Sequence, residues 1–115
     1  MLIKLSAGNR IALDAFAKLI GVAADRAGCF CIVAWSKPQR QEIRFILVDD
    51  LHSREPATFE QHDHVIASLL MIDREATIRT SKHTYNGWAD FSAQFMDAIP
   101  GERNDAAIKT DPDAS

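Results

Sequence analysis

The spacing of apolar residues along the first part of the chain predicts a short strand followed by an amphipathic helix. Residues 1–5, MLIKL, form a brief apolar run that ends at the turn-forming sequence SAGN, which is typical of a short strand. Between residues 10 and 27, apolar side chains recur at spacings of three and four, and Gly28 follows as a helix stop. We therefore expect the first helix over residues 10–27.

Two apolar segments in the middle of the chain predict an antiparallel hairpin. The run Cys29–Trp35, CFCIVAW, is apolar on both of its alternating faces, which indicates a well-buried strand. A polar loop around Pro38 separates it from residues 42–49, EIRFILVD, where β-branched and aromatic residues again favour a strand. The length of the loop predicts a hairpin connection longer than the tight two-residue turn.

A helix start is encoded at Thr58, because Gln61 follows at the third position and completes the capping-box signature. The apolar positions after it recur at helical spacing, so we expect a second helix over residues 59–73. The predicted apolar face of this helix consists of Phe59, Ile66, Leu69 and Leu70.

The last part of the chain predicts one more strand and one more helix. Residues 76–80, ATIRT, are β-prone but polar, so we expect a strand at the edge of a sheet. Four large apolar residues from Trp88 to Ile99 then follow one another at spacings of three, four and four, and the breakers Pro100 and Gly101 come after them. This pattern predicts a final helix that ends before Pro100.

The predicted order of elements, βαββαβα, indicates the fold class. Apart from the final helix, it is the split βαβ order of ferredoxin-like domains, an α+β two-layer sandwich with a small antiparallel sheet and helices on one face. If the short first strand does not form, a three-stranded α+β layer remains. We expect one globular domain over residues 1–101 and a flexible tail over residues 102–115, which offer little apolar surface for burial.

Length and composition are those of one ordinary globular domain. The chain has 115 residues, of which 47% are hydrophobic and 25% charged, and this is enough to bury a core without metal or disulfide staples. Its longest apolar run, Cys29–Trp35, is far too short to span a membrane, and residues 1–10 lack the features of a secretory signal. We therefore expect a cytoplasmic protein without a membrane partner.

The charge distribution contains one marked concentration. Overall, 13 Lys and Arg residues stand against 16 Asp and Glu residues, and the net charge of −3 disfavours nucleic acid as a direct ligand. Residues 49–63, called the acidic segment below, contain five acids and one base, Arg54. Such a surface attracts basic partners, and acids near a helix N-terminus also stabilise the helix dipole. The five acids are Asp49, Asp50, Glu55, Glu60 and Asp63.

His62 and His64 flank Asp63 and look like a chelating motif when they are read as a string. Inside the predicted helix, residues two apart diverge by roughly 200°, so the two imidazoles cannot approach one metal ion. Helical spacing places His62 on the core-facing side and His64 in water. We expect a partly buried His62 bonded to a backbone or carboxylate group, and an exposed His64.

Cys29 and Cys31 offer a second possible metal site, because alternate residues of a strand share one face. A zinc ion would need two further ligands, and the available donors, His52, His62 and His83, have no recognisable zinc spacing. Buried, reduced cysteines are the commoner arrangement in a protein core. We therefore expect no metal and no cofactor, and a zinc site on Cys29, Cys31 and His62 is the alternative.

A small cationic group precedes the final helix and consists of Arg79, Lys82 and His83, with Tyr85 beside them. We expect a solvated connection there, and the alternative is a contact for a phosphate group or an acidic partner. The chain contains neither a glycine-flanked serine nor a Gly-rich phosphate loop, which disfavours nucleophilic and phosphate-handling enzymes.

These observations favour a small non-enzymatic binding or inhibitor protein over an enzyme. Its acidic segment would face a basic partner protein. Antitoxin-like, immunity or anti-defence inhibitors of this size and charge would use the same electrostatic attraction. One alternative is a small-molecule or metal-binding domain, or a small enzyme, that uses Asp49, Asp50, His52 and His62. The other is a regulatory homodimer formed through an exposed sheet edge or the final helix.

Overall fold

The computed structural model describes the backbone of residues 1–97 and the side chains of residues 1–94. Within this range the chain forms five strands and three helices, and a 3-10 turn joins the second and third strands. The elements are β1 (Leu2–Lys4), α1 (Leu13–Arg26), β2 (Phe30–Lys37), β3 (Glu42–Val48), α2 (Phe59–Ile72), β4 (Thr77–Arg79), β5 (Thr84–Asn86) and α3 (Gly87–Asp97).

The strands form one antiparallel sheet in the order β2-β3-β1-β4-β5. The first four of these have the arrangement expected of a ferredoxin-like domain, in which β1 lies between β3 and β4. Leu2 of β1 is opposite Arg44 on one side and opposite Arg79 on the other. The alternative of a three-stranded layer without the first strand is therefore wrong, because this short strand occupies the centre of the sheet.

The prediction of a well-buried strand over Cys29–Trp35 is wrong, because β2 lies at the edge of the sheet. The chain passes from β1 through α1 to β2, and β3 fills the place between the two strands, so β2 has a neighbour on one side only. Phe30 is 42% exposed and Val33 is 43% exposed as a result. A bulge between Val33 and Trp35 interrupts the pairing of β2 with β3.

The strand predicted over residues 76–80 is present as β4, but the expectation that it forms an edge is wrong. A fifth strand, β5, pairs with β4 and takes the edge position; Ile78 is opposite Tyr85 at the centre of this pairing. Three residues are too few to show an alternating pattern, which is why β5 escapes prediction from sequence. The order of elements is thus βαββαββα.

The core lies between the helices and one face of the sheet. Ile3 is opposite both Ile43 and Ile78, and this row of fully buried side chains crosses the three central strands. Phe16 from α1 and Leu69 from α2 belong to the same buried cluster. The other face of the sheet carries charged and exposed side chains, so the helices cover the sheet on one side, as the predicted two-layer architecture requires.

The helix α2 begins with the predicted capping box. Thr58 Oγ1 accepts a hydrogen bond from Gln61 N at 3.1 Å, and Gln61 Oε1 accepts one from Thr58 N at 2.8 Å. The predicted apolar face is wrong at Phe59, which is 75% exposed. Phe59 is the first residue of α2 and contacts the turn between β4 and β5, where the Lys82 ammonium lies 5.2 Å from its ring centroid. Ile66, Leu69 and Leu70 are buried as predicted.

Asp73 is the buried charged residue among residues 1–94, with 7% of its surface exposed. It caps the C-terminal end of α2, and each of its two carboxylate oxygens accepts a hydrogen bond from a backbone N–H group, one distant in sequence and one local. Oδ2 is 2.8 Å from Ser6 N, and Oδ1 is 3.3 Å from Glu75 N. Asp73 therefore ties the segment after β1 to the end of α2.

The predicted domain boundary at residue 101, the helix stop at Pro100 and Gly101, and the tail over residues 102–115 lie outside the described residues. None of the helices within residues 1–97 combines the length and the apolar character needed to cross a membrane.

Candidate partner-binding site

The first half of the acidic segment forms a compact loop between β3 and α2. Asp49 N donates to the Glu55 carbonyl oxygen at 2.7 Å, and Ser53 N donates to Asp50 Oδ2 at 2.9 Å. This hydrogen bond from the Ser53 backbone, assisted by the Ser53 side chain, lowers the pKa of the Asp50 carboxyl. Asp49, Asp50 and Glu55 are all exposed, so the loop presents three carboxylates to solvent.

Gln61 joins this loop to the N-terminal end of α2. Its Nε2 donates to the Gly28 carbonyl oxygen at 3.2 Å and to Asp49 Oδ1 at 3.3 Å, while its Oε1 completes the capping box. Asp49 thus has a structural partner, and one side chain connects the start of β2, the end of β3 and the start of α2.

The second half of the acidic segment lies along a groove of about 460 Å³ between α2 and α3. Glu60 and Asp63 line it from α2, and Trp88 and the largely buried Phe91 line it from α3. The surface that lines this α2–α3 groove is almost entirely apolar, so Glu60 and Asp63 line it mainly through their carbon atoms. Its lining residues are Glu60, Asp63, His64, Ala67, Trp88, Phe91 and Ser92.

The aromatic side of the α2–α3 groove is held by neighbouring rings and by a cation. The Trp88 and Phe91 ring centroids are 6.1 Å apart, and Tyr85 meets Phe91 edge-on at 5.1 Å. The Arg74 guanidinium lies 5.7 Å from the Trp88 ring centroid, a favourable distance for a cation–π contact. Trp88 remains half-buried, so part of this fixed ring is available to a ligand.

The start of α3, which forms one wall of the groove, is fixed by backbone contacts. Trp88 N donates to the Arg74 carbonyl oxygen at 2.8 Å, and Asn86 N donates to Asp90 Oδ2 at 2.8 Å. The bond from Asn86, together with one from the Gln94 side chain, lowers the pKa of the Asp90 carboxyl. The position of Trp88 therefore depends on the turn between α2 and β4 as well as on α3 itself.

Asp63 is the half-buried member of the acidic segment. Burial raises the pKa of its carboxyl, and the nearby His62 and His83 rings offset only part of this effect. The folded protein therefore holds a proton on Asp63 more tightly than the unfolded chain does. Stability contributed by this difference is present at low pH and is lost as the pH rises through the raised pKa.

Asp63→Asn is accordingly expected to stabilise the folded protein near neutral pH, by up to about 0.5 kcal/mol, because an amide has no charge to desolvate. Urea unfolding of both proteins near pH 7 and near pH 4 tests this. The advantage of the variant should shrink at the lower pH, where the wild-type carboxyl becomes protonated. An advantage that grows on acidification would contradict the assignment.

His62 and His64 diverge as the helical spacing predicts. His62 is half-buried, and its Nδ1 lies 2.8 Å from the Thr58 carbonyl oxygen; because a carbonyl only accepts, Nδ1 carries the hydrogen. His64 is exposed and lines the α2–α3 groove. His52 is exposed in the acidic loop. The three histidines therefore have three different surroundings.

The two cysteines are free thiols at the start of β2. Burial raises the pKa of Cys29, and it raises the pKa of Cys31 to about 11, so both remain protonated at neutral pH and are weak ligands and nucleophiles. Among the described residues, no group of three or more His, Cys, Asp or Glu side chains is arranged to hold a metal ion. The alternative zinc site on Cys29, Cys31 and His62 is therefore not assembled.

The predicted cationic group is divided by the fold. Arg79 lies on the face of the sheet away from the helices, whereas Lys82 and His83 lie in the turn between β4 and β5, where both backbone N–H groups donate to Thr80 Oγ1. Tyr85 is only 9% exposed and belongs to the core, so its inclusion as a surface contact is wrong.

Three of the four residues of the alternative small-molecule or enzyme site are engaged locally, and the fourth, His52, is exposed in the acidic loop. Asp49 accepts from Gln61, Asp50 accepts from Ser53, and the His62 ring faces the Thr58 carbonyl. The α2–α3 groove is instead lined by a different set of side chains, of which the sequence had singled out Glu60, Asp63 and His64. Trp88 and Phe91 were visible only as an apolar helical stripe.

Comparison with known proteins leaves the site to be interpreted from its own geometry. No family model matches the chain, and neither a curated protein nor a solved structure shows significant similarity to it.

Proposed function

We propose that this protein is a non-enzymatic binding protein that engages a basic segment of a partner protein in the α2–α3 groove. One observation carries the proposal: two acidic residues, Glu60 and Asp63, belong to the lining of an apolar groove that also includes Ala67 and Trp88. A ligand that fits must offer cationic and apolar groups side by side. A basic amphipathic helix or peptide has this chemistry.

The two parts of the groove have separate tasks in this proposal. An aliphatic anchor that covers Trp88 gains affinity from burial of apolar surface on a ring already held in place, so little ordering is required on binding. Lys or Arg side chains beside the anchor meet Glu60 and Asp63, which select a basic partner over an acidic one.

The acidic loop extends the same charge beyond the groove. Asp49, Asp50 and Glu55 are exposed at the N-terminal end of α2, and carboxylates in this position accelerate encounter with a cationic surface. Bound to a protein that normally holds an anionic ligand, the acidic surface would exclude that ligand by competition. We therefore propose that the protein acts in the cytoplasm as an inhibitor of the antitoxin-like or immunity-like kind.

The test uses the emission of Trp88 in a Trp35→Phe variant, in which Trp88 is the remaining tryptophan. The probe is a synthetic amphipathic peptide of about 14 residues with leucines at helical spacing and lysines beside them. We expect a saturable change in Trp88 emission. Glu60→Lys should weaken binding by about tenfold at low salt, because a contact with a lysine becomes a repulsion.

Asp14→Lys is the matched control, since it makes the same change in net charge at an exposed position in the first turn of α1. It should alter the affinity by about twofold or less. If both variants weaken binding equally, the affinity depends on net charge alone, and the peptide does not bind in the groove. A peptide with glutamates in place of the lysines should not bind.

A further inference from the structure

The face of the sheet opposite the helices carries a continuous row of side chains across all five strands. The pairing places Trp35 opposite Arg44, Arg44 opposite Leu2, Leu2 opposite Arg79, and Arg79 opposite Thr84. Because paired residues of antiparallel strands point to the same side, these five side chains share one face, about 19 Å from end to end.

A second row lies directly beside the first and adds to its charge. It consists of Lys37, Glu42, Lys4, Thr77 and Asn86, in the order of the strands. The two rows together contain four cations and one carboxylate, a local charge of +3, although the whole chain has a charge of −3. The four cations, Lys4, Lys37, Arg44 and Arg79, are all exposed.

Aromatic and apolar side chains continue this face along β2 and β3. Phe30 and Ile32 are opposite Val48 and Ile46, and both Phe30 and Ile46 are more than 40% exposed. The bulge after Val33 turns Trp35 to the cationic face, because without the extra residue Trp35 would point to the same side as Val33. The Lys37 ammonium lies 5.0 Å from the Trp35 ring centroid.

We propose that this outer face of the sheet binds single-stranded nucleic acid. Arg44 and Arg79, with Lys4 and Lys37 beside them, are placed to neutralise phosphates, and Trp35 and Phe30 offer rings on which unpaired bases stack. Single strands are bound elsewhere by this same combination of a cationic track and aromatic platforms. The site is separate from the α2–α3 groove and does not depend on the function proposed for it.

The charge of the face decides between this ligand and a second copy of the protein. Two such faces packed on each other would bring net charges of +3 together, and the single carboxylate in the two rows of each face, Glu42, is too little to neutralise them, which opposes self-association. A double helix fits less well, because bases stacked within a duplex cannot lie on Trp35. An unpaired strand satisfies both the cations and the rings.

The test uses a Trp88→Phe variant, in which Trp35 is the remaining tryptophan, titrated with oligouridylate of about 12 nucleotides at about 50 mM NaCl. We expect saturable quenching of Trp35 and an affinity that falls with added salt, with a log–log slope of about −2 to −3 for three to four phosphates neutralised. Removing both central cations, Arg44→Ala with Arg79→Ala, should weaken binding at least about tenfold.

The matched control is Arg10→Ala with Lys18→Ala, which removes the same charge from exposed positions on or before α1. This pair should change the affinity by about twofold or less. Absence of saturable quenching, or equal weakening by the two double variants, would overturn the proposal. A second result would also overturn it: a dimer mass in light scattering at the working protein concentration, together with Trp35 emission that the oligonucleotide does not change. Those two observations would mean that a second copy of the protein covers the face.

Discussion

Gly87→Ala is expected to destabilise the protein by about 2–3 kcal/mol, the largest effect of a single methyl group that the structure suggests. Gly87 has a φ of +90°, and a Cβ added there would lie 2.8 Å from the Arg74 carbonyl oxygen. That oxygen cannot simply move aside, because it accepts the hydrogen bond from Trp88 N that fixes the start of α3. Urea unfolding of the wild type and the variant measures the loss.

Two other glycines separate the backbone effect from the close contact. Gly28 has a φ of +81°, but its nearest neighbour, Gln61 Nε2, would be 3.8 Å from the added Cβ, so Gly28→Ala should cost about 1 kcal/mol. Gly21 lies within α1 with nothing inside 4 Å, and Gly21→Ala should stabilise the protein by about 0.5–1 kcal/mol. A loss at Gly87 no larger than that at Gly28 would show that the contact with Arg74 relaxes.

Asp73→Ala is expected to destabilise the protein by about 2 kcal/mol, because it leaves two backbone donors without their charged acceptor. Ser6 N, which donates to Oδ2 at 2.8 Å, lies in a partly buried region where water replaces the carboxylate poorly. The segment after β1 should loosen along with the end of α2. Amide hydrogen exchange at Ser6 and Glu75 reports this directly, and urea unfolding gives the free energy.

Asp73→Asn is the matched variant for this position. Its amide oxygen can still accept one of the two hydrogen bonds, so the expected cost is about 1 kcal/mol and exchange should increase at one of the two amides only. Equal costs for the alanine and asparagine variants would mean that the negative charge, rather than the acceptor geometry, stabilises the fold.

The elements that sequence predicts best are those whose signals are local. The start of α2 is encoded by the side chains of Thr58 and Gln61, which bond to backbone groups three residues apart, and both bonds are present. The ferredoxin-like order also follows from local patterns, because the sequence of strands and helices limits the number of possible topologies. The short strand β1 could be predicted because the apolar run MLIKL ends at the turn-forming sequence SAGN.

The errors concern properties that depend on distant parts of the chain. Apolar residues on both faces of Cys29–Trp35 predict burial, but the place of β2 in the sheet is decided by the crossover through α1, which leaves it at an edge. Phe59 fits the helical stripe of α2, but it lies in the first turn of the helix, where the contact with Lys82 leaves 75% of it exposed. Periodicity describes one element and does not show which neighbours that element acquires.

The candidate site shows the same division between local and distant information. Charge counting identified Glu60 and Asp63, and helical geometry separated His62 from His64. That Trp88 and Phe91 would stand opposite these acids depends on how α3 packs beside α2, for which the sequence carries no local signal. Total charge is a still weaker guide, because the net value of −3 conceals a cationic sheet face and an acidic loop on one small domain.

The bulge in β2 also affects whether further strands can be added to this edge of the sheet. An apolar edge strand with unpaired N–H and C=O groups is a template for further strands, and unlimited growth of that kind leads to fibrils. The extra residue between Val33 and Trp35 shifts the register, so an added strand can pair regularly with residues 30–33 or with residues 35–37, but not with both. One inserted residue therefore turns Trp35 to the outer face of the sheet and also interrupts the continuous pairing edge that a growing fibril would need.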